Sequence, residues 1–328
     1  MLGGAALGQL AARLRANRGL AAKRDIAAVA KRLSLSAESV VPVGDDCAAI
    51  PDGDGFLLFA IEGFMNEFVA DDPWFAGWCG VMVNISDVAA MGGRPIAIVD
   101  AVWAAGEAQA VPVLDGMRAA SATYGVPIVG GHSNTRTDRG QLAVAILGRA
   151  KRLLTSFDAR PDDRLVAAID LRGRYREPFS NWEAATDAPP RRLIADLEIL
   201  PSIAEEGLAI AAKDISQGGL IGTAMMLAEC SRVGATIDVT RVPKPDGVPL
   251  DRWLTTFPSY GYLLAVRPAN VSAMLARFEA RGIAAAEIGA ITANHRVSLG
   301  DGHRAETIWD FAQEPLIGCA GVRAETFA

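Results

Sequence analysis

Cysteine is scarce and scattered in this chain. The four cysteines among 328 residues, Cys47, Cys79, Cys230 and Cys319, form no C-x-x-C pair. That excludes a thioredoxin-like motif and leaves a structural zinc site without its usual ligand spacing; the four read as reduced core residues. No apolar run reaches the roughly 18 residues of a membrane span. No signal-type apolar stretch follows the N-terminus either, where Arg13, Arg15 and Arg18 interrupt "MLGGAALGQLAARLRANRGL". A cytoplasmic protein with no membrane partner is the expectation. Positive charge is not in excess: 32 Lys and Arg face 38 Asp and Glu, a net charge of −6, so no nucleic-acid partner is expected. There is no G-x-x-x-x-G-K-[ST] phosphate loop and no G-x-G-x-x-G after a strand. Only three histidines occur, with no G-x-S-x-G and no H-E-x-x-H, so hydrolase triads and zinc proteases lack support.

What the chain does have is apolar mass: 51% of its residues are hydrophobic and 21% charged. That is enough for a sizeable core, and the length favours two domains. Residues 8–34 carry Leu and Ala at helical spacing, with Gly19 as the expected break. "SVVPV" (39–43) and "GFLLFAIEGF" (55–64) read as strands flanking the turn "PDGDG". A helix is expected after Asp71 or Asp72, with Pro73 in its first turn and Gly92 or Gly93 at its end. A strand over 94–104, a helix closed by Gly125, and strands at 126–131 and 141–150 complete a first half. Residues 172–192, polar and aromatic with three prolines, form a long connection of the kind that is usually functional or mobile. Beyond it come two helices, with Pro201 a possible kink in the first, then strands and helices in alternation, "SYGYLLAVRP" (259–268) among the strands. The reading is an α/β (α+β mixed) chain of two layers, 1–152 and 153–328.

Acidic and amide residues stand at the ends of these elements, each beside small residues. They are Asp45 and Asp46 in "VVPVGDDCAAI" (40–50), Glu62 at the end of "LLFAIE", Asn84 and Asp87 in "VNISDVAAMGG", His132 after "VPIVGG", and Asp214 in "AAKDISQGGL". Two adjacent carboxylates out of water need compensation, from solvent on a loop or from a metal. Each residue alone also has a plain structural reading as a turn, cap or strand end. Taken together, carboxylates from separate elements with glycines beside them suit a Mg-nucleotide site, since Mg²⁺ takes one or two carboxylates plus phosphate oxygens. A net-acidic chain needs such a cation, or local Lys and Arg, to hold a polyphosphate.

The ordered set resembles the aminoimidazole ribonucleotide synthetase-related superfamily from Gly44 to about Ala290. "VGDDCAAI" is similar to that family's G-D-D-x-A loop, which implies Asp45 and Asp46 near Mg-ATP. "LLFAIE" is similar to the strand that ends in a metal-binding aspartate, with Glu62 in that place. "VNISDVAAMGGRP" resembles the N-x-x-D-[LV]-A-x-M-G helix, which implies a role for Asn84 and makes Asp87 a metal ligand. "VGGHS" resembles the G-G-[DEH]-[TS] turn and implies Gly130, Gly131, His132 and Ser133 near the nucleotide. "KDISQGGL" resembles the second-domain segment that sets Asp214 toward the triphosphate. The implied metal set is Asp45, Asp46, Glu62, Asp87 and Asp214, with Asp87 and Asp214 catalytic. The resemblance implies a PurM-like two-domain fold. Its N-terminal sheet (1–152, with a helical arm at 1–36) would bind ATP and Mg²⁺ and form a shared β-barrel in a homodimer. The C-terminal α/β domain (153–328) would face the substrate.

The chain also departs from the members it resembles. Thiamine-monophosphate kinase has a second Asp where Gln217 stands, and an acidic motif where this chain reads "TTFPSYGYLLAV". The hydrogenase maturation dehydratase ends in a reactive cysteine, whereas Cys319 lies in "LIGCAGVRAETFA". Lys23 and Lys31 lie in a helix without the glycine-rich loop of selenophosphate synthetase. A separate branch is implied, with Arg172, Arg174, Tyr175, Arg176 and Trp182 of the long connection as candidates for an anionic or planar substrate. Two function classes follow. One is a Mg-ATP-dependent enzyme that phosphorylates or activates an oxygen of a small molecule, thiamine-monophosphate kinase-like chemistry being one form. The other is a nucleotide-binding protein without catalysis.

Overall fold

The computed structural model describes residues 4–33, 35, 40–258 and 261–319. By its contacts the chain forms two units. One holds residues 46–153 and 186–205; the other holds 1–45, 154–185 and 206–328. In place of one cut after residue 152, the chain changes unit four times, and the helical arm groups with the second half rather than the first.

Three helices open the chain: α1 (Gly4–Arg15), α2 (Arg18–Lys23) and α3 (Asp25–Arg32). The helix expected over 8–34 breaks before Arg18 rather than at Gly19, and its last residue, Ser34, lies outside the described residues. Asn17 causes the break: its backbone is extended and its side chain accepts the Gly19 amide at 2.8 Å, an N-cap. Residues 40–43 form no strand, and Ser39 lies outside the described residues. The first strand instead follows the two aspartates: β1 (Ala48–Asp52), then β2 (Gly55–Gly63), α4 (Asn66–Asp71), α5 (Pro73–Ala90), β3 (Arg94–Ala105), α6 (Glu107–Tyr124), β4 (Ile128–Asn134) and β5 (Arg136–Ala150).

These strands make a five-stranded sheet in the order β1-β2-β5-β3-β4. Strand alternation splits it into two faces. Leu58, Val144, Ile146, Ile98 and Val102 point to one side, each 2% exposed or less, and α5 packs there against β2, β3 and β5. Ile50, Phe59, Ile61 and Val99 point to the other, and remain 41–66% exposed. Helices α5 and α6 meet backbone to backbone: a Cβ on Gly77 would lie 2.0 Å from the Val113 carbonyl oxygen, and one on Gly116 would lie 1.9 Å from that of Trp74.

The second half continues with β6 (Arg164–Ile169), β7 (Arg174–Tyr175), β8 (Asn181–Glu183), α7 (Pro190–Leu197), α8 (Ile199–Glu206), β9 (Ala211–Asp214) and α9 (Gly219–Cys230). Then come β10 (Gly234–Asp238), α10 (Leu250–Thr255), β11 (Phe257–Pro258), β12 (Gly261–Val266), α11 (Val271–Glu279), β13 (Ala284–Thr292), β14 (Arg296–Gly300) and β15 (Ala305–Asp310). Ser259 and Tyr260, where the β12 strand was expected to begin, lie outside the described residues. The break between α7 and α8 falls at Glu198, because Pro201 has no N–H for the Leu197 carbonyl. The large unit's sheet has seven strands in the order β15-β14-β10-β13-β6-β12-β9. Within it β12, between β6 and the edge strand β9, is buried throughout, the pattern of a strand covered on both faces. The arm packs here, α1 lying against β14, β15 and α10.

The connection 172–192 is not a solvated loop. Strands β7 and β8 join β11 in a small sheet, and Trp182 is 5% exposed, edge-on to Tyr175 and Trp253 at 5.4 and 5.2 Å. Arg172 pairs with Asp170 at 2.8 Å and Arg174 with Glu183 at 3.6 Å, so these cations serve the fold.

Candidate functional site

Helix α5 carries the most sharply built part of the site. Asp72 caps it by accepting the Phe75 amide, Pro73 fits the first turn where no N–H is needed, and Gly92 at φ +77° closes it. The apolar run between these signals buries the helix nearly all round, and Asn84 and Asp87 are buried with it, at 0% and 5% exposure. They lie three apart, on one face. Asn84 Nδ2 donates to the Gly80 carbonyl at 2.8 Å, one turn back. Its Oδ1 has no hydrogen-bond partner among the described residues. A buried amide oxygen in that state is costly unless a ligand reaches it.

The half-buried Asp46 and Asp87 bring carboxylate oxygens within 4.8 Å of each other. Two oxygens on one octahedral Mg²⁺, each about 2.1 Å from it, stand roughly 3 to 4 Å apart. The donors therefore fit a hard divalent cation: carboxylate oxygens, with no sulfur or imidazole in the group.

Asp45 is built differently. Its Oδ2 accepts the Ser156 amide at 2.9 Å and its Oδ1 accepts the Ser156 hydroxyl at 2.7 Å. Of the adjacent aspartates, expected together at the metal, Asp46 stands beside Asp87 while Asp45 is turned to Ser156. The unit boundary falls between them.

Glu62 is exposed. Strand register sets Glu62, Val144, Asp100 and Gly131 side by side in one row across β2, β5, β3 and β4. Helix α5 meets this row through Gly80, whose Cβ would lie 2.8 Å from Val144. Asp87 is seven residues further along the helix, about 10 Å at 1.5 Å per residue. The structure thus sets Asp100 beside Gly131, with Glu62 two strands away across β5, about 10 Å. Gly131 leaves room that a side chain would take from Asp100, since a Cβ there would lie 2.7 Å from Asp100 Oδ2. Burial raises the Asp100 carboxyl above the usual range. His132 is exposed, its ring 6.0 Å from that of Trp103, and Gly130 and Ser133 are exposed on the same strand. Asp214, in the other unit, ends β9 at 7% exposure. Its carbonyl accepts the Thr223 hydroxyl at 3.2 Å, and Lys23 of the arm donates to Ser216, two residues on, at 3.2 Å. Asp100, Ser156 and Lys23 carry no motif of their own; only their partners reveal them.

Residues 44–150 match the family described as AIR synthase related protein, N-terminal domain, and residues 176–302 match AIR synthase related protein, C-terminal domain. The chain belongs to the AIR synthase-related family. A relative, Uncharacterized protein sll0787 of Synechocystis sp., is 47% identical over 86% of this chain and 88% of its own length. Thiamine-monophosphate kinase of Halobacterium salinarum is 28% identical over 74% of this chain and 85% of its own. The solved structure of T. maritima PurL complexed with ADP superposes with a TM-score of 0.70 at 21% identity, covering 88% of this chain and 48% of that one. These likenesses make the fold PurM-like, in an AIR synthase-related chain with kinase-like relatives. No helix among the described residues is long and apolar enough to cross a membrane.

Proposed function

We propose that this AIR synthase-related protein is a Mg-ATP-dependent phosphotransferase acting on an oxygen of a small molecule. The observation that carries the reading is the approach of Asp46 and Asp87 to within 4.8 Å. Asp46 and Asp87 would hold Mg²⁺, which when bound offsets charge on phosphate oxygens. Asp87 is fixed by its rigid helix, so little reorganisation accompanies binding. The glycines at 130 and 131, with His132 and Ser133, supply an exposed strand edge for the nucleotide, and Glu62 a further carboxylate for metal. The resemblance assigns Asp45 to the metal and Asp214 to the triphosphate. Catalysis would rest on positioning and charge neutralisation rather than on a covalent protein intermediate. The uncovered apolar face around Phe59 and Ile61 supports a homodimer built sheet to sheet.

The test is phosphate release from ATP and Mg²⁺ across a panel of hydroxylated and phosphorylated metabolites, thiamine phosphate included, with Asp87→Asn as control. Turnover that vanishes in Asp87→Asn supports the proposal. Binding of a non-hydrolysable ATP analogue with no release on any acceptor favours a nucleotide-binding protein without catalysis. Ile61→Lys tests the dimer: sedimentation should show dissociation to monomers, and an unchanged mass would refute it.

A further inference from the structure

Residues 40–47 form no strand, so no ladder of backbone hydrogen bonds fixes Asp46. A metal ligand has to be held to about half an ångström. The contacts that hold the residues just before it converge from one place, the C-terminal end of α9.

Three consecutive side chains there reach three segments. Ser231 Oγ donates to the Ser156 carbonyl at 2.7 Å and accepts the Ala159 amide at 3.0 Å. That fixes the turn whose Ser156 amide and hydroxyl both grip Asp45. The turn is braced internally as well, by Thr155 Oγ1 donating to Asp158 at 2.7 Å. Cys230 Sγ makes a weak contact to the Gly44 carbonyl at 3.7 Å. Burial pushes this thiol well up, so it stays neutral. Glu229, 4% exposed, accepts three backbone amides: Leu316 and Gly318 at 3.1 Å, and Ile317 at 2.7 Å. Such a set of donors satisfies a buried carboxylate without a counter-ion. It seats the C-terminal segment against Gly44. A Cβ on Gly44 would lie 2.9 Å from Cys319 Cβ, 3.2 Å from Cys230 Sγ and 3.3 Å from Ile317 Cδ1. Gly44 also has φ +124°, where side chains are strained. The residue is gripped on three sides and Asp45 on a fourth.

We propose that Glu229, Cys230 and Ser231 are positioning residues for Asp46. They hold Gly44 and Asp45, and one peptide bond carries that placement to the ligand. The proposal rests on the metal reading given above.

The experiment is a Mn²⁺ titration of the full chain, with free Mn²⁺ followed by electron paramagnetic resonance well below the melting temperature. Ser231→Ala and Glu229→Gln should each bind Mn²⁺ about three- to tenfold more weakly, the effect of losing one or two hydrogen bonds. Ser231→Thr keeps the hydroxyl and should bind within twofold of wild type. Arg296→Ala, which removes the Arg296–Asp310 ion pair of the same unit, controls for general loosening and should leave binding unchanged. Wild-type affinity in both Ser231→Ala and Glu229→Gln overturns the proposal. So does an equal loss in Arg296→Ala, or no recovery in Ser231→Thr. Asp46→Asn separates the two readings: if it alone loses Mn²⁺, the metal site stands and the positioning role falls; if it binds as wild type, the metal site falls.

Discussion

Replacing Asp87 by Asn should move stability and metal binding in opposite directions. Asp46 and Asp87 hold like charges within 4.8 Å. At an effective dielectric of 20, that separation corresponds to about 3.5 kcal/mol of repulsion. Asp46 is half-buried, and solvent screening reduces the figure to about 1–2 kcal/mol. Asn is nearly isosteric with Asp, so Asp87→Asn relieves this repulsion, and the cost of burying a charge at 5% exposure, without opening a cavity. For a chain of this size 1 kcal/mol is worth about 2 °C. The metal-free variant is therefore expected to melt about 2–4 °C above the wild type. Adding Mg²⁺ reverses the order. At a hundred times its dissociation constant, Mg²⁺ stabilises the wild type by about 2.7 kcal/mol, roughly 5 °C, and leaves the variant where it was. Calorimetry after chelation, then with Mg²⁺ restored, reads both effects. A metal-free variant that melts below the wild type, or a variant that keeps the Mg²⁺ shift, refutes the reasoning.

Asp45 and Asp46 should respond differently to the same change. In Asp45→Asn the amide can still accept the Ser156 N–H and donate to its hydroxyl, so Mn²⁺ binding should stay within twofold, whereas Asp46→Asn should abolish it; a loss above tenfold in Asp45→Asn would make Asp45 a ligand. Gly116→Ala places a Cβ 1.9 Å from the Trp74 carbonyl and should cost about 3 kcal/mol by urea unfolding, and a cost under 1 kcal/mol would mean that α5 and α6 part easily. Burial raises the Asp100 carboxyl, so its ionisation opposes folding as pH rises through the folded-state value. Asp100→Asn should then be more stable than wild type at pH 7, with the gain shrinking as pH falls through the unfolded-state value of about 3.9 and gone by about pH 3, where both states are protonated; a gain that is constant with pH would trace it to packing.

Helix α5 was legible in full because its signals are local: Asp72, Pro73 and the glycine pair are the cap, start and stop of any helix, and Asn84 and Asp87 keep helical spacing between them. The division into units was not legible. Nothing in residues 1–45 says that Leu10 and Leu14 bury against strands near residue 307; that is a matter of tertiary pairing, invisible to periodicity. The two aspartates of "GDD" read alike as a sequence, and only the position of Ser156, 111 residues on from Asp45, separates their roles. The polar composition of 172–192 suggested a loop, yet Trp182 and Asn181 are buried: the Trp182 indole donates to the Asp170 carbonyl, and Phe257 and Pro258 pair with the two residues in the small sheet.

The placement of the arm sets a schedule on the ribosome. Leu10 and Leu14 are 3% and 1% exposed, on a helix that rests against β15, and Arg15 donates to the Thr307 carbonyl 292 residues away. At 5–20 residues per second, about 15 to 60 s pass between synthesis of the two. For that time α1 has no β15 to lie on, and its apolar stripe stays open to chaperones and to other nascent chains.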